Sequence, residues 1–335
     1  MKIAIDAMGG DYAPEEIVKG AVLACRELGA EVVLVGEEEK IGAILKEQSV
    51  SGLKLEVCNA TEVIGMDEHP ANAVKKKKDS SLVVANRLVK DGTASAVISA
   101  GNTGAAMSAS LLTLGRIKGI NRPAIASPMP TNTGVSVLID AGANADCDPN
   151  NLLQFALMGS IYAEQVFGIS KPRVGLLSIG EEETKGNKLT IETHQLLKQS
   201  TINFIGNIEG RDVHHGECDV IVCDGFVGNI VLKISEGLAG ALFSQIKAAL
   251  TQNLITSAGA LLVKSAFKTI KGKMDYTEYG GAPLLGLNGI SMISHGRSNA
   301  KAIKNAVKAT MKAVNEDILG KIAAALTRQE DSSTR

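Results

Sequence analysis

Along the chain, short runs of β-branched and other apolar residues alternate with longer stretches whose apolar positions recur at helical spacing. The runs predict strands over 3–6, 32–35, 53–57, 94–99, 135–139, 174–178, 202–205 and 220–223. Helical patterns over 15–28, 105–114 and 151–167 follow several of them. This alternation is the mark of βαβ units, so the expected fold class is α/β with a mainly parallel sheet. Segment 226–273 breaks the pattern, because two helical stretches follow one another with no strand between them. A helical excursion is expected there, from a single α/β unit spanning 1–335, since no linker, short repeat or composition shift marks a border.

Composition narrows the function classes. With 335 residues and 45% hydrophobic content, the chain can bury one large core or two joined ones. Its 35 Lys and Arg nearly balance 36 Asp and Glu, so no overall field favours nucleic acid. Aromatic residues are 3% and Trp is absent, which removes a base-stacking platform. Cys25, Cys58, Cys147, Cys218 and Cys223 are scattered and read as reduced core thiols. The start Met1-Lys2-Ile3-Ala4-Ile5-Asp6 has no signal-peptide core, and no uninterrupted apolar run reaches the ~20 residues of a spanning helix. A cytoplasmic location is expected, with membrane contact peripheral at the inner face.

Five strand ends carry glycine and small polar groups: Asp6 to Asp11 (with Gly9 and Gly10), Ser99 to Gly104, Asp140 to Asn144, Ile179 to Glu182, and Asp224 to Asn229. In a parallel sheet such ends share one edge, where open α/β folds bind small polar ligands. Asp6, Gly9, Gly10, Asp140, Asn144 and Asp224 are therefore candidate crevice residues, although each loop alone also reads as a tight turn. Ser99, Gly101, Asn102, Thr103 and Gly104 open a helix whose free N–H groups suit a phosphate, and N-capping by Asn102 or Thr103 is the competing reading. A dinucleotide fingerprint and a P-loop are both absent. Asp6, Asp11, Asp140, Asp146 and Asp224 have the chemistry to gather around Mg²⁺, but such carboxylates commonly cap helices; no metal is expected.

Taken in order, Asp6-Ala7-Met8-Gly9-Gly10-Asp11, Ser99-Ala100-Gly101-Asn102-Thr103-Gly104-Ala105, Gly115-Arg116-Ile117-Lys118-Gly119, Asp224-Gly225-Phe226-Val227-Gly228-Asn229 and Tyr279-Gly280-Gly281-Ala282-Pro283-Leu284-Leu285-Gly286 resemble the phosphate acyltransferase family of bacterial membrane-lipid synthesis. The resemblance runs from Met1 to the final helix. It implies a Rossmann-like three-layer α/β/α fold akin to isopropylmalate dehydrogenases and phosphotransacetylases, a homodimer, and acyl carrier protein as acyl donor. It implies inorganic phosphate as acceptor, acyl phosphate as product, and no organic cofactor held by the enzyme. One departure is His295-Gly296-Arg297-Ser298, where the family more often has Ser in third place, which leaves the role of the Arg297 side chain open.

Phosphate is itself an anionic nucleophile, so direct displacement at the thioester needs orientation, oxyanion donors and a proton or cation for the departing thiolate. Lys185, His295 and Asn229 are the candidate catalytic side chains. Lys185 also reads as a solvated loop lysine, and His295 as a structural histidine. His69, His194, His214 and His215 lie outside the glycine-rich patterns. Two surfaces suit partners. Lys75 to Lys78 with Arg87 and Lys90 form a basic patch for an acidic carrier protein, or a solvated run. In 254–271, Lys264, Lys268 and Lys271 share one helix face, opposite Leu262, Val263, Phe267 and Ile270, a pattern suited to anionic lipid or to a dimer interface. A decarboxylating dehydrogenase of similar fold and a non-catalytic membrane scaffold are the rival functions. The first lacks its adenine-binding and metal signatures; the second gives no reason for five polar strand ends.

Overall fold

The computed structural model describes residues 1–274 and 278–333. The chain begins with β1 (Lys2–Asp6), α1 (Glu15–Leu28), β2 (Glu31–Gly36), α2 (Glu38–Lys46), β3 (Leu55–Asn59), α3 (Pro70–Lys76), α4 (Ser81–Lys90), β4 (Ala96–Ser99) and α5 (Thr103–Leu114). There follow β5 (Ala124–Thr131), β6 (Gly134–Ile139), α6 (Pro149–Phe167), β7 (Val174–Leu177), α7 (Lys188–Gln199), β8 (Phe204–Ile208) and β9 (Val220–Val222). The remaining elements are α8 (Gly225–Leu250), α9 (Leu254–Met274), β10 (Ala282–Leu285), β11 (Ile290–Ile293), α10 (Ala300–Asn315) and α11 (Ile318–Ser333).

The strands form a single sheet in the order β3-β2-β1-β4-β11-β10-β5-β6-β9-β7-β8. Side chains alternate between its two faces. Ile3, Ile5, Val32, Leu34 and Ile98 pack under α1 and α10, whereas Ala4, Val33, Val35 and Val97 pack under α4. In the other half, Val137, Ile139, Val220 and Val222 meet α6, while Leu138 and Ile221 join the core beneath α5. Burial on both faces is why these strands appear as unbroken apolar runs, and it makes the fold a three-layer α/β/α arrangement.

Three strands escape the sequence pattern. Strand β5 contains Pro128 and Pro130, which lack the N–H that a ladder needs. They are accommodated because β10 meets β5 only at Ala124 and Ile125, leaving the rest of that side without a partner strand. Strands β10 and β11 are four residues each and have few β-branched side chains.

These three strands also change the topology. The β3-β2-β1-β4-β11 set is parallel, as is β6-β9-β7-β8. Between them the pairs β11–β10, β10–β5 and β5–β6 are antiparallel. Three reversals make the two parallel sets run in opposite directions. The expectation that all five strand-end loops share one edge therefore fails: those after β1 and β4 belong to one set, those after β6, β7 and β9 to the other.

Helix α6 illustrates how local sequence sets the ends. Asp148 and Asn151 form a reciprocal capping box, with Pro149 in the first turn and Gly168 left-handed at the far end. Helices α8 and α9 succeed one another, and few of their side chains are buried. Among the described residues α8 is the one helix long and apolar enough to cross a membrane by length and composition. The run is interrupted by Lys233, Glu236 and Lys247.

Candidate active site

A cleft of about 700 Å³ opens where the two parallel sets meet across β5. One wall is the start of α5, with Thr103, Gly104 and Met107, backed by His69 and Pro70 at the start of α3. A second wall comes from the loop after β6 (Ala141 to Ala143) and from α8, whose Asn229, Leu232, Lys233 and Glu236 fall at helical spacing on one face. The floor is Ile125 to Pro130 of β5, and Tyr279, Ile293 and His295 close the remaining side.

At the α5 start, the Asn102 side chain accepts from Ala105 N at 3.0 Å, an N-cap, and its amide donates to the carbonyls of Met66 (2.8 Å) and Glu68 (3.3 Å). Asn102 thus holds the loop over residues 65–68 and is not available to a ligand, a correction to its reading as a phosphate group. The N–H groups of Thr103 and Gly104 have no partner among the described residues. Both residues line the cleft at the positive end of α5. Glu68 is tied in turn to Lys77 and to Gly65 N, each at 2.6 Å, and the Lys77 ammonium holds its carboxyl below the usual range.

Asp6, Gly9, Ser99 and Gly101 form a layer behind this wall and do not line the cleft. The Asp6 carboxyl accepts from Ser81 Oγ (2.6 Å) and Ser99 Oγ (2.7 Å), joining β1, α4 and β4. Burial pushes its pKa up while these hydroxyls oppose the rise. Gly10 has φ +115°, and the turn it permits lets Asp11 N donate to Gly296 O at 2.7 Å, fixing the His295 loop. His295 Nδ1 accepts from Arg297 N at 3.1 Å, so the neutral ring carries its proton on Nε2. That contact uses the Arg297 backbone; its side chain turns to Asp11 at 3.7 Å.

The carboxylate after β6 is likewise structural. Asp140 is fully buried and accepts from Ile125 N, Gly142 N, Ala143 N, Asn144 N and Asn144 Nδ2 at 2.7–3.1 Å. Asn144 also donates to Pro123 O. Asp224 caps α8 through Val227 N at 2.9 Å. None of these three residues, expected in the crevice, lines the cleft: Asp140 and Asn144 are buried in the loop after β6, and Asp224 caps the start of α8. Asn229 does line the cleft. Lys185 does not: β9 separates β7 from β6, and Lys185 stands exposed beyond that far strand end. The cation on the cleft wall is Lys233.

Sequence reasoning set aside His69 and His214 and passed over Lys233 and Ser235, all of which line the cleft. The 229, 232, 233, 236 spacing was the available signal for the α8 residues. His214 sits in a short 3-10 turn with no pattern of its own.

Comparison with known proteins places the chain in a family. Residues 1–321 match the family model described as "Fatty acid synthesis protein". A phosphate acyltransferase of Pelotomaculum thermopropionicum is 56% identical over 326 residues, 97% of this chain and 95% of that relative. One from Desulfitobacterium hafniense is 56% identical over 329 residues, 98% of each. The chain belongs to the phosphate acyltransferase family. It is an acyltransferase of fatty acid and phospholipid synthesis, of the kind that acylates phosphate. Solved structures of similar fold include a phosphotransacetylase from Streptococcus pyogenes, with TM-score 0.63, 19% identity and coverage of 93% of this chain and 94% of that one. The EutD phosphotransacetylase from Staphylococcus aureus aligns with TM-score 0.59 and 16% identity over 93% and 94%. These phosphotransacetylases match the expected Rossmann-like architecture.

Proposed function

We propose that this phosphate acyltransferase takes a fatty acyl group from the thioester of an acyl carrier protein and transfers it to inorganic phosphate, releasing acyl phosphate. The observation that carries the reading is the composition of the cleft. The N–H groups of Thr103 and Gly104, without a partner among the described residues, and the Lys233 ammonium supply an anion end, while Met107, Met129 and Leu232 supply an apolar wall for a chain. A phosphate oxygen attacks the thioester carbonyl directly; the N–H groups orient the nucleophile, and a nearby cation offsets the charge that collects in the transition state. His295 also lines this cleft.

The carrier protein is proposed to dock on exposed Lys75, Lys76 and Lys78, because α3 that bears the first two begins at the cleft rim with Pro70. Lys77 is engaged by Glu68. A homodimer and peripheral contact with anionic lipid at the cytoplasmic face are proposed for the uncovered apolar side chains of α8 and α9.

Incubation with acyl-acyl carrier protein and labelled phosphate should yield labelled acyl phosphate without added nucleotide or metal; release of free fatty acid alone would defeat the reading. Lys233→Ala is expected to lower kcat about 10- to 100-fold. A comparable fall in Lys185→Ala, with Lys233→Ala near normal, would move the neutralising charge to the loop after β7.

A further inference from the structure

We propose that Ser235 and His214 form a proton relay on the cleft wall, through which the proton of hydrogen phosphate is taken up during attack and returned to the departing sulfur. The proposal rests on the acyl transfer to phosphate set out above and adds the residues that carry its proton.

His214 Nδ1 lies 2.8 Å from the carbonyl oxygen of Pro130. A carbonyl has no proton to give, so Nδ1–H is the donor, and in the neutral ring Nε2 keeps its lone pair. That nitrogen is 2.9 Å from Ser235 Oγ, which therefore donates to it. A carbonyl that fixes the tautomer, an imidazole acceptor and a hydroxyl in line make up a base with its orienter. A serine inside a helix commonly bonds the carbonyl one turn back. Ser235 makes no such bond among the described residues; its hydroxyl turns to the imidazole, and its oxygen keeps lone pairs able to accept. Both residues are half-buried and line the cleft together with Lys233 and the start of α5.

The proton balance closes. A phosphate oxygen forms the new C–O bond as the C–S bond breaks, with the electron pair leaving on sulfur. The P–OH proton passes to Ser235 Oγ while the serine proton passes to His214 Nε2. The imidazolium, its Nδ1–H still on the Pro130 carbonyl, returns a proton by the same path to the thiolate. The sum is thioester plus hydrogen phosphate giving acyl phosphate plus thiol, with no other reactant.

Among the described residues, the other titratable groups around the ring are Lys233 and Glu236 on α8, His69, Tyr279 and His295 on the cleft lining, and Asp212 and His215 on its own segment. Their presence means that a pH profile must be compared between variants rather than read from wild type alone.

Two measurements test the relay. Imidazole-nitrogen NMR of the full-length protein should show His214 protonated on Nδ1, and inorganic phosphate alone should shift its Nε2 signal; Ser235→Ala should abolish that shift. This arm needs no turnover, so it stands apart from a failure of the acyl-transfer reading. In steady state, His214→Asn keeps an N–H for the Pro130 carbonyl but removes the Nε2 acceptor. It should lower kcat about 100-fold, leave the KM for acyl donor within about twofold, and give a pH–rate profile different in shape from that of wild type. Ser235→Thr, which retains the hydroxyl, should keep more activity than Ser235→Ala. A phosphate-insensitive Nε2 signal, or a folded His214→Asn variant within about threefold of wild-type kcat, overturns the relay and leaves the pair as a tether between β5 and α8.

Discussion

Asn102 and Thr103 are neighbours with similar polar chemistry, yet the fold gives them different work. Asn102 caps α5 and binds the carbonyls of Met66 and Glu68, while Thr103 is exposed on the cleft wall. Asn102→Ala should thus cost about 1 kcal/mol of stability, the ordinary worth of an N-cap, as read by denaturant unfolding. Thr103→Ala should leave stability within about 0.5 kcal/mol and raise the phosphate KM several-fold. If the two variants show the same phosphate dependence, the anion end lies elsewhere. In the sequence, capping by Asn102 or Thr103 is a reading that competes with phosphate binding, and the choice depends on a loop more than thirty positions away. The same limit applies to Asp6 and Asp140. As residue types at strand ends they look like ligand groups; only the donors brought to them by α4, β4 and the 141–144 backbone reveal them as buried staples.

Among elements, legibility followed local sequence rather than burial. The little-buried β3 and β8 were found, as were the buried central strands, whereas β5, with two prolines, and the buried but short β10 and β11 were not. Since those three strands carry every antiparallel pairing, missing them meant missing the reversal between the two halves, and so the reason only some polar loops meet. Helix α8 carries a sharper constraint. A Cβ on Gly228 would stand 1.9 Å from Asp140 O, so the helix start rests directly on the loop after β6. In a free helix Gly→Ala gains about 1 kcal/mol. Here Gly228→Ala should instead push α8 outward, with an overpacking cost of about 1–3 kcal/mol, and carry Asn229, Lys233 and Ser235 away from α5. The expected readout is a kcat at least tenfold lower. Gly237, whose Cβ would meet nothing within 4 Å, is the control: Gly237→Ala should stabilise slightly with unchanged turnover. Equal behaviour of the two variants would show that α8 is not held by that contact.

At the scale of the whole molecule, the cleft and the uncovered helices share an element, since α8 starts on the cleft wall and leads into α9. Leu261 and Leu262 on α9 are 72% and 88% exposed, and Ile234 and Leu238 on α8 are also exposed. Exposed apolar side chains in such number call for a cover, which a second copy or a lipid surface can provide. Lys264 and Lys268 are exposed beside it, while the Lys271 side chain lies outside the described residues. Each basic residue near anionic lipid contributes on the order of 1 kcal/mol. Replacing Lys264, Lys268 and Lys271 together by Glu should thus weaken binding to anionic vesicles at least 100-fold while acyl transfer in solution continues. Leu262→Glu should weaken binding to neutral and anionic vesicles alike, because it removes insertion rather than attraction. Vesicle co-sedimentation and sedimentation velocity on the same samples separate the two covers. Loss of vesicle binding with an unchanged mass assigns the face to lipid. A fall to monomer mass assigns it to the second copy, and the lysines then serve the interface between subunits.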